Sequence, residues 1–216
     1  MHSVELVYLD NDLLVLNKPA GLLSVPGKGP EKQDCLSARA QSEWPGALVV
    51  HRLDQATSGL IVMARSIEVQ RALSHAFATR QVSKTYVAIV HGKPNATGQE
   101  WNTIDLPIAA DWARRPLRVI DPILGKASLT HWRLAEQSGS SQKSNESRII
   151  LEPHTGRTHQ LRVHLQAIGH PIVGDRLYGR SEQEDSADRL MLHAFSLKLS
   201  HPITGVELTF QCTIPF

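Results

Sequence analysis

Short apolar runs separated by turn residues, with only two clear stretches of helical period, confine this chain to a sheet-rich fold. Residues 47–50 and 60–64 are apolar and rich in β-branched side chains, the pattern of buried strands. Residues 4–9 and 13–17 alternate around Asp10-Asn11-Asp12, which predicts a hairpin. Further strands are expected at 84–91, 128–134 and 148–151, with a closing hairpin at 190–200 and 206–213. Ser66 stands where it can cap a helix running to about Arg80, with Val69, Leu73, Ala76 and Phe77 on one face. A second helix starts near Thr158, aligns Leu161, Leu165 and Ile168, and stops at Gly169. Most neighbours are joined by turns rather than crossover helices. The expected class is therefore α+β: a single domain over residues 1–216, with a mixed, largely antiparallel central sheet flanked by helices and loops. The polar, Ser-rich segment 137–145 reads as a long hairpin tip between two strands that need each other.

A chain of 216 residues with 41% hydrophobic residues can bury a sizeable core, and its longest apolar runs are far too short to span a bilayer. The first residues carry acidic side chains where a secretory leader would carry basic ones. Cys35 and Cys212 form no CxxC pair and read as small buried apolar residues in a reducing cytoplasm. The net charge of +2 does not announce a polyanionic partner. The distribution says more: Arg157, Arg162, Arg176, Arg180 and Arg189 fall in one segment, and Arg114, Arg115 and Arg118 in another. Such clusters either neutralise phosphates or form a solvated basic face.

Neither a phosphate-cradling GxxxxGK[ST] nor a GxSxG nucleophile elbow is present. His154, His159, His164 and His170 invite a metal, but five helical residues turn roughly 140°, so His159 and His164 diverge. No metal site is expected there; phosphate contacts, base contacts and hydrogen-bonded, partly buried side chains all remain open. What stands out is Asp54, in His51-Arg52-Leu53-Asp54, where one apolar run ends and a polar connection begins. A carboxylate set among strands stays ionised when an arginine compensates it, and residues 156–162 can supply one.

Five blocks in order resemble the RluA family of RNA pseudouridine synthases. They are Asn17-Lys18-Pro19-Ala20-Gly21-Leu22, then His51-Arg52-Leu53-Asp54 with Thr57-Ser58-Gly59-Leu60, then Lys84-Thr85-Tyr86, then Gly156-Arg157-Thr158-His159-Gln160-Leu161-Arg162-Val163-His164, and last Gly169-His170-Pro171-Ile172-Val173-Gly174-Asp175. The likeness extends to the short members that modify both large-subunit ribosomal RNA and transfer RNA, through residues 21–27, 105–108, Asp111-Trp112 and Arg115-Pro116. The pseudouridine synthase catalytic domain then fills the chain, leaving no room for a separate N-terminal S4-type RNA-binding domain. The segment 137–145 is longer than the turn expected in such relatives.

The resemblance implies isomerisation of uridine to pseudouridine in structured RNA with the base flipped out, without cofactor or metal, by a cytoplasmic monomer. It implies Asp54 as catalyst, Tyr86 stacked on the target base and available to handle a proton, and Arg162 paired with Asp54. Arg52 would fill the gap left by the extruded nucleotide, and Arg157, His159, Gln160 and Leu161 would bind substrate at the helix entry. An aromatic ring and a guanidinium are physically suited to those tasks. Whether Asp54 adds to the sugar, adds to the base or removes a sugar proton stays open. The competing classes are a non-catalytic RNA-binding or ribosome-assembly module of the same fold and, on histidine count alone, a metal-dependent hydrolase.

Overall fold

The computed structural model describes residues 4–95, 100–135, 145–179 and 187–216, so nearly all of the expected hairpin tip at 137–145 lies outside the described residues. Along the chain run β1 (Glu5–Leu9), β2 (Leu13–Lys18), α1 (Leu36–Glu43), β3 (Leu48–Val49), β4 (Ser58–Ala64), α2 (Ile67–Ala78), β5 (Ser83–His91) and β6 (Asn102–Asp105). There follow β7 (Ile108–Ala110), β8 (Arg118–Ile120), β9 (Leu129–Leu134), β10 (Glu146–Pro153), α3 (Gln160–Ala167), β11 (Leu192–Ser200) and β12 (Glu207–Gln211). The chain forms two compact units: Met1–Lys84 with His193–Pro215, and Thr85–Leu192 with Phe216. Among the described residues no helix is long and apolar enough to cross a membrane.

The first unit is organised around β4. β2 pairs with β1 on one side and with β4 on the other, antiparallel in both cases. Every residue of β4 is buried, which is why Leu60 to Ala64 run apolar without alternation. On one face Leu13, Val15, Leu60 and Val62 pack with Val69 and Leu73 of α2 and with Leu197, Leu199 and Phe210. On the other, Leu14, Leu16, Ile61 and Met63 pack with Leu36 and Ala40 of α1. The expected Ser66 cap is present, its hydroxyl accepting the Val69 N–H at 3.2 Å.

The second edge of β4 has several partners. β3 takes Met63 and Ala64 antiparallel, and β11 takes Ser58 and Gly59 in parallel register. Between them a side chain stands in for strand: the Val62 N–H donates to His51 Nε2 at 3.0 Å. Gly59, at φ +115°, pairs with Ala194 of β11, and a Cβ there would land on the Ala194 backbone.

In the second unit β5, β10, β9 and β6 are antiparallel neighbours in that order. β7 and β8 form a separate small hairpin. Its Ile108, Leu117 and Ile120 pack with Val163 of α3 and with Tyr178. α3 begins two residues later than the periodicity indicates, because His159 adopts a left-handed conformation at φ +58° and only Gln160 enters the helix. It ends as expected, with the His170 N–H returning to the Leu165 carbonyl across Gly169.

Candidate active site

Asp54 lies half-buried in the connection from β3 to β4, its carbonyl accepting the Thr57 N–H at 3.1 Å. Both neighbouring residues are held. Ser24 Oγ accepts the Leu53 N–H at 3.1 Å and donates to the Leu53 carbonyl at 2.7 Å. The Gln55 carbonyl takes the Gly21 N–H at 2.8 Å, while Gln55 Nε2 donates to the Gly21 carbonyl at 3.0 Å. Lys18 is fully buried, and its ammonium donates to the carbonyls of Leu22 (2.7 Å), Pro19 (3.0 Å) and Gln55 (3.1 Å). A buried ammonium must be solvated by the protein itself, and here the solvating carbonyls belong to the two segments that frame Asp54. The sequence shows Lys18-Pro19 only as a strand-ending turn; the reach of its ammonium appears in the fold.

His51 precedes the motif and stacks on Phe77 with ring centroids 4.3 Å apart. Burial, and then the positive charge of Lys84, push its pKa down to about 3. It is therefore a neutral imidazole whose Nε2 serves as an acceptor. Arg52, next in sequence, is exposed.

The remaining expected site residues belong to the second unit. Tyr86 is half-buried on β5, opposite Leu151 of β10. Arg162 is buried on α3 and forms a two-pronged pair with Asp175, Nε to Oδ2 at 2.7 Å and Nη2 to Oδ1 at 2.6 Å. The guanidinium carbon also lies 5.1 Å from the centroid of the Tyr178 ring. Asp175 and Tyr178 have no assigned role at the level of sequence. Only the fold reveals that one fixes the edge of Arg162 and the other covers a face.

A directional chain of buried hydrogen bonds sets the position of α3. The Leu129 N–H donates to Thr155 Oγ1 at 3.0 Å, whose hydroxyl donates to Gln160 Oε1 at 2.7 Å. Gln160 Nε2 donates to Thr130 Oγ1 and to the Leu129 carbonyl, both at 3.0 Å. Thr130 then donates to His164 Nδ1 at 2.9 Å, and His164 Nε2–H to the Leu106 carbonyl at 2.9 Å. This leaves His164 neutral, in keeping with a pKa lowered chiefly by burial. Gln160 Oε1 also accepts the Arg157 N–H at 3.0 Å, so the buried amide is bonded at both ends. Leu161 is buried beside it, while Arg157 and Thr158 are exposed and His159 half-buried. His159 Nδ1 meets the Tyr178 hydroxyl at 2.7 Å.

The four histidines between 154 and 170 have separate surroundings. The His154 ring lies 4.3 Å from that of His131, tilted by 43°, and His170 Nδ1 donates to the His91 carbonyl at 2.9 Å. Among the described residues, the group that brings three potential metal ligands together is Asp10, Asp12 and His201. There His201 Nδ1 accepts the Ile203 and Thr204 amides, which assigns the ring proton to Nε2, donating to Asp10 Oδ2 at 3.1 Å. An imidazole bonded in this way offers no lone pair to an ion.

Residues 12–167 match the family described as RNA pseudouridylate synthase. The dual-specificity RNA pseudouridine synthase RluA of Escherichia coli (strain K12) is 42% identical over 211 residues, covering 98% of this chain and 93% of that protein. The protein of the same name from Yersinia pestis is 42% identical over 210 residues, covering 97% and 98%. Among solved structures, Human RNA Pseudouridylate Synthase Domain Containing 1 superposes with a TM-score of 0.80 at 32% identity, covering 99% of this chain and 84% of that one. Human RNA Pseudouridylate Synthase Domain Containing 4 gives 0.74 at 25% identity, covering 98% and 88%.

Proposed function

This chain belongs to the RNA pseudouridylate synthase family, and from that premise we propose that it isomerises uridine to pseudouridine in structured RNA with Asp54 as its catalyst. The supporting observation is the hold on Asp54: Ser24 fixes Leu53 before it, and Lys18 with Gly21 fixes Gln55 after it. A carboxylate that must act on one atom of a bound nucleotide gains from such preorganisation.

The chemistry is an internal transfer. The bond from uracil N1 to ribose C1′ breaks, the base turns, and C5 bonds to C1′. C5 loses its hydrogen to water and N1 gains a proton, so nothing is oxidised or reduced and the reaction calls for no cofactor. Asp54 serves by adding to the sugar, adding to the base or removing a sugar proton.

The uridine must leave its stack first, at a cost of a few kcal/mol. Arg52 is the exposed cation that fills the gap, and Tyr86 offers the ring against which the extruded uracil lies. Arg162, held edge-on by Asp175, is the proposed partner of Asp54. Arg157 and His159 meet phosphate at the start of α3. Gln160 and Leu161 complete the proposed substrate-binding set, both buried beneath that loop, with Gln160 bonded to Thr155 and to the Arg157 amide. Large-subunit ribosomal RNA and the transfer RNA anticodon stem-loop are the proposed substrates, in line with the dual specificity in the names of the relatives. The proposed setting is the cytoplasm, which suits two buried thiols not joined in a disulfide.

The test is tritium release from transfer RNA and ribosomal RNA transcripts labelled at uridine C5, comparing wild type with Asp54→Asn. Release by wild type alone, with both proteins binding RNA, is the expected result. Equal binding with no release by either would favour a non-catalytic RNA-binding module instead.

A further inference from the structure

The β7–β8 hairpin carries a side chain that folding does not use. Trp112, at its tip, is 74% exposed, and the guanidinium carbon of Arg115 sits 3.8 Å from its ring centroid. One face of the indole is thus backed by a cation while the ring remains largely open to solvent. An exposed ring of this kind, backed by a guanidinium, offers its other face for stacking.

The loop that presents Trp112 is built to hold its shape. Asp111 Oδ1 accepts the Arg114 N–H at 3.1 Å, and Asp111 Oδ2 accepts Arg114 Nε at 2.7 Å. The Asp111 N–H donates to the Leu117 carbonyl at 3.1 Å, and the Leu117 N–H to the Arg114 carbonyl at 2.9 Å. The stem is anchored at its other side: the Arg118 N–H donates to the Tyr178 hydroxyl at 2.8 Å. That hydroxyl also bonds His159, and its ring faces Arg162. The hairpin therefore rests on α3, in register with the residues assigned to phosphate and to Asp54.

Its charge is cationic. Residues 108–126 hold Arg114, Arg115, Arg118 and Lys126 against Asp111 and Asp121. Asp111 is occupied by Arg114, and Asp121 Oδ1 accepts the Ile123 and Leu124 amides. Arg157 Nε reaches the Ala127 carbonyl at 3.3 Å, extending the basic surface toward the start of α3.

Building on the RNA-modifying function above, we propose that this hairpin is an RNA-binding finger in which Trp112, backed by Arg115, stacks on an unpaired base of the substrate outside the reacting uridine. Every base has a π-face, and only an unpaired one can present it to a protein side chain. The surrounding arginines supply phosphate contacts that fix the register without reading sequence.

The experiment compares wild type, Trp112→Ala and Trp112→Phe for binding to a stem-loop RNA and to the same sequence closed into a full duplex, alongside tritium release. Trp112→Ala should weaken stem-loop binding about ten-fold, the scale of one base-stacking contact, with Trp112→Phe keeping most of the affinity. Duplex binding should be the same for all three. Unchanged stem-loop binding by Trp112→Ala, or an equal loss on the duplex, would overturn the proposal. Tritium release by wild type bears separately on the synthase assignment, since the binding comparison decides the stacking contact even without turnover. Thermal melting controls for folding, which truncation of so exposed a side chain should leave intact.

Discussion

Arg162 and Asp175 form a buried, two-pronged ion pair, with side chains 5% and 0% exposed. Asp175 Oδ1 also accepts the Leu177 and Tyr178 amides, so one carboxylate holds both the guanidinium and the turn that carries Tyr178. Removing one charge of a buried pair leaves the other uncompensated, at a cost of about 3–5 kcal/mol. Asp175→Asn should lose stability on that scale in urea unfolding. Tritium release should fall with it, because Arg162 would lose its edge-on support.

Ser24 both accepts from and donates to the Leu53 backbone. Ser24→Ala leaves that buried N–H and carbonyl without the hydroxyl, an expected loss of about 1–3 kcal/mol. Because Leu53 immediately precedes Asp54, kcat for uridine isomerisation should drop by about ten-fold while KM for RNA is nearly unchanged. A variant with altered KM and wild-type kcat would contradict this positioning role.

Gly59 and Gly205 both have positive φ, but only at Gly59 does an added Cβ meet backbone, that of Ala194. Gly205→Ala should cost about 1 kcal/mol, the conformational penalty alone. Gly59→Ala should cost more than about 2 kcal/mol, since β11 must also back away from β4. Denaturant midpoints of the two variants separate the steric part from the conformational part.

His51 titrates near 3 in the folded protein and near its ordinary value of 6.5 when unfolded. Because the folded pKa is the lower one, the unfolded chain binds more protons in between. The neutral ring's contribution is complete above about pH 6.5 and is lost as pH falls toward 3. Wild type should therefore lose stability relative to His51→Gln between pH 7.5 and 4.5, the other groups cancelling in the difference. A pH-independent difference between their urea midpoints would refute this.

The elements legible from sequence are those with local causes. The β1–β2 hairpin follows from alternation around Asp10-Asn11-Asp12, α2 from its Ser66 cap and the Val69–Leu73 face, and the final hairpin from the turn at His201–Gly205. The helix α1 escaped because its cap is Cys35, whose sulfur accepts the Ala38 N–H at 3.5 Å, and cysteine is not a usual capping residue. β7 and β8 escaped because three-residue strands carry too little pattern. At the candidate site the residue types were visible and their supports were not. Lys18 serves Gln55 from 37 positions away, and Asp175 meets Arg162 from 13. No periodicity connects such pairs; packing does.

The division of the chain has a consequence for its synthesis. The unit containing β4 is assembled from both sides of residues 85–192, while the other unit is, apart from Phe216, one uninterrupted stretch. A ribosome delivers residues in order, so the second unit emerges almost whole before β11 exists. Until residue 193 and those after it leave the exit tunnel, Ser58 and Gly59 have no parallel partner. The nascent chain must carry the Asp54 loop beside an unfinished strand edge, and closing that edge is the late step of its biogenesis.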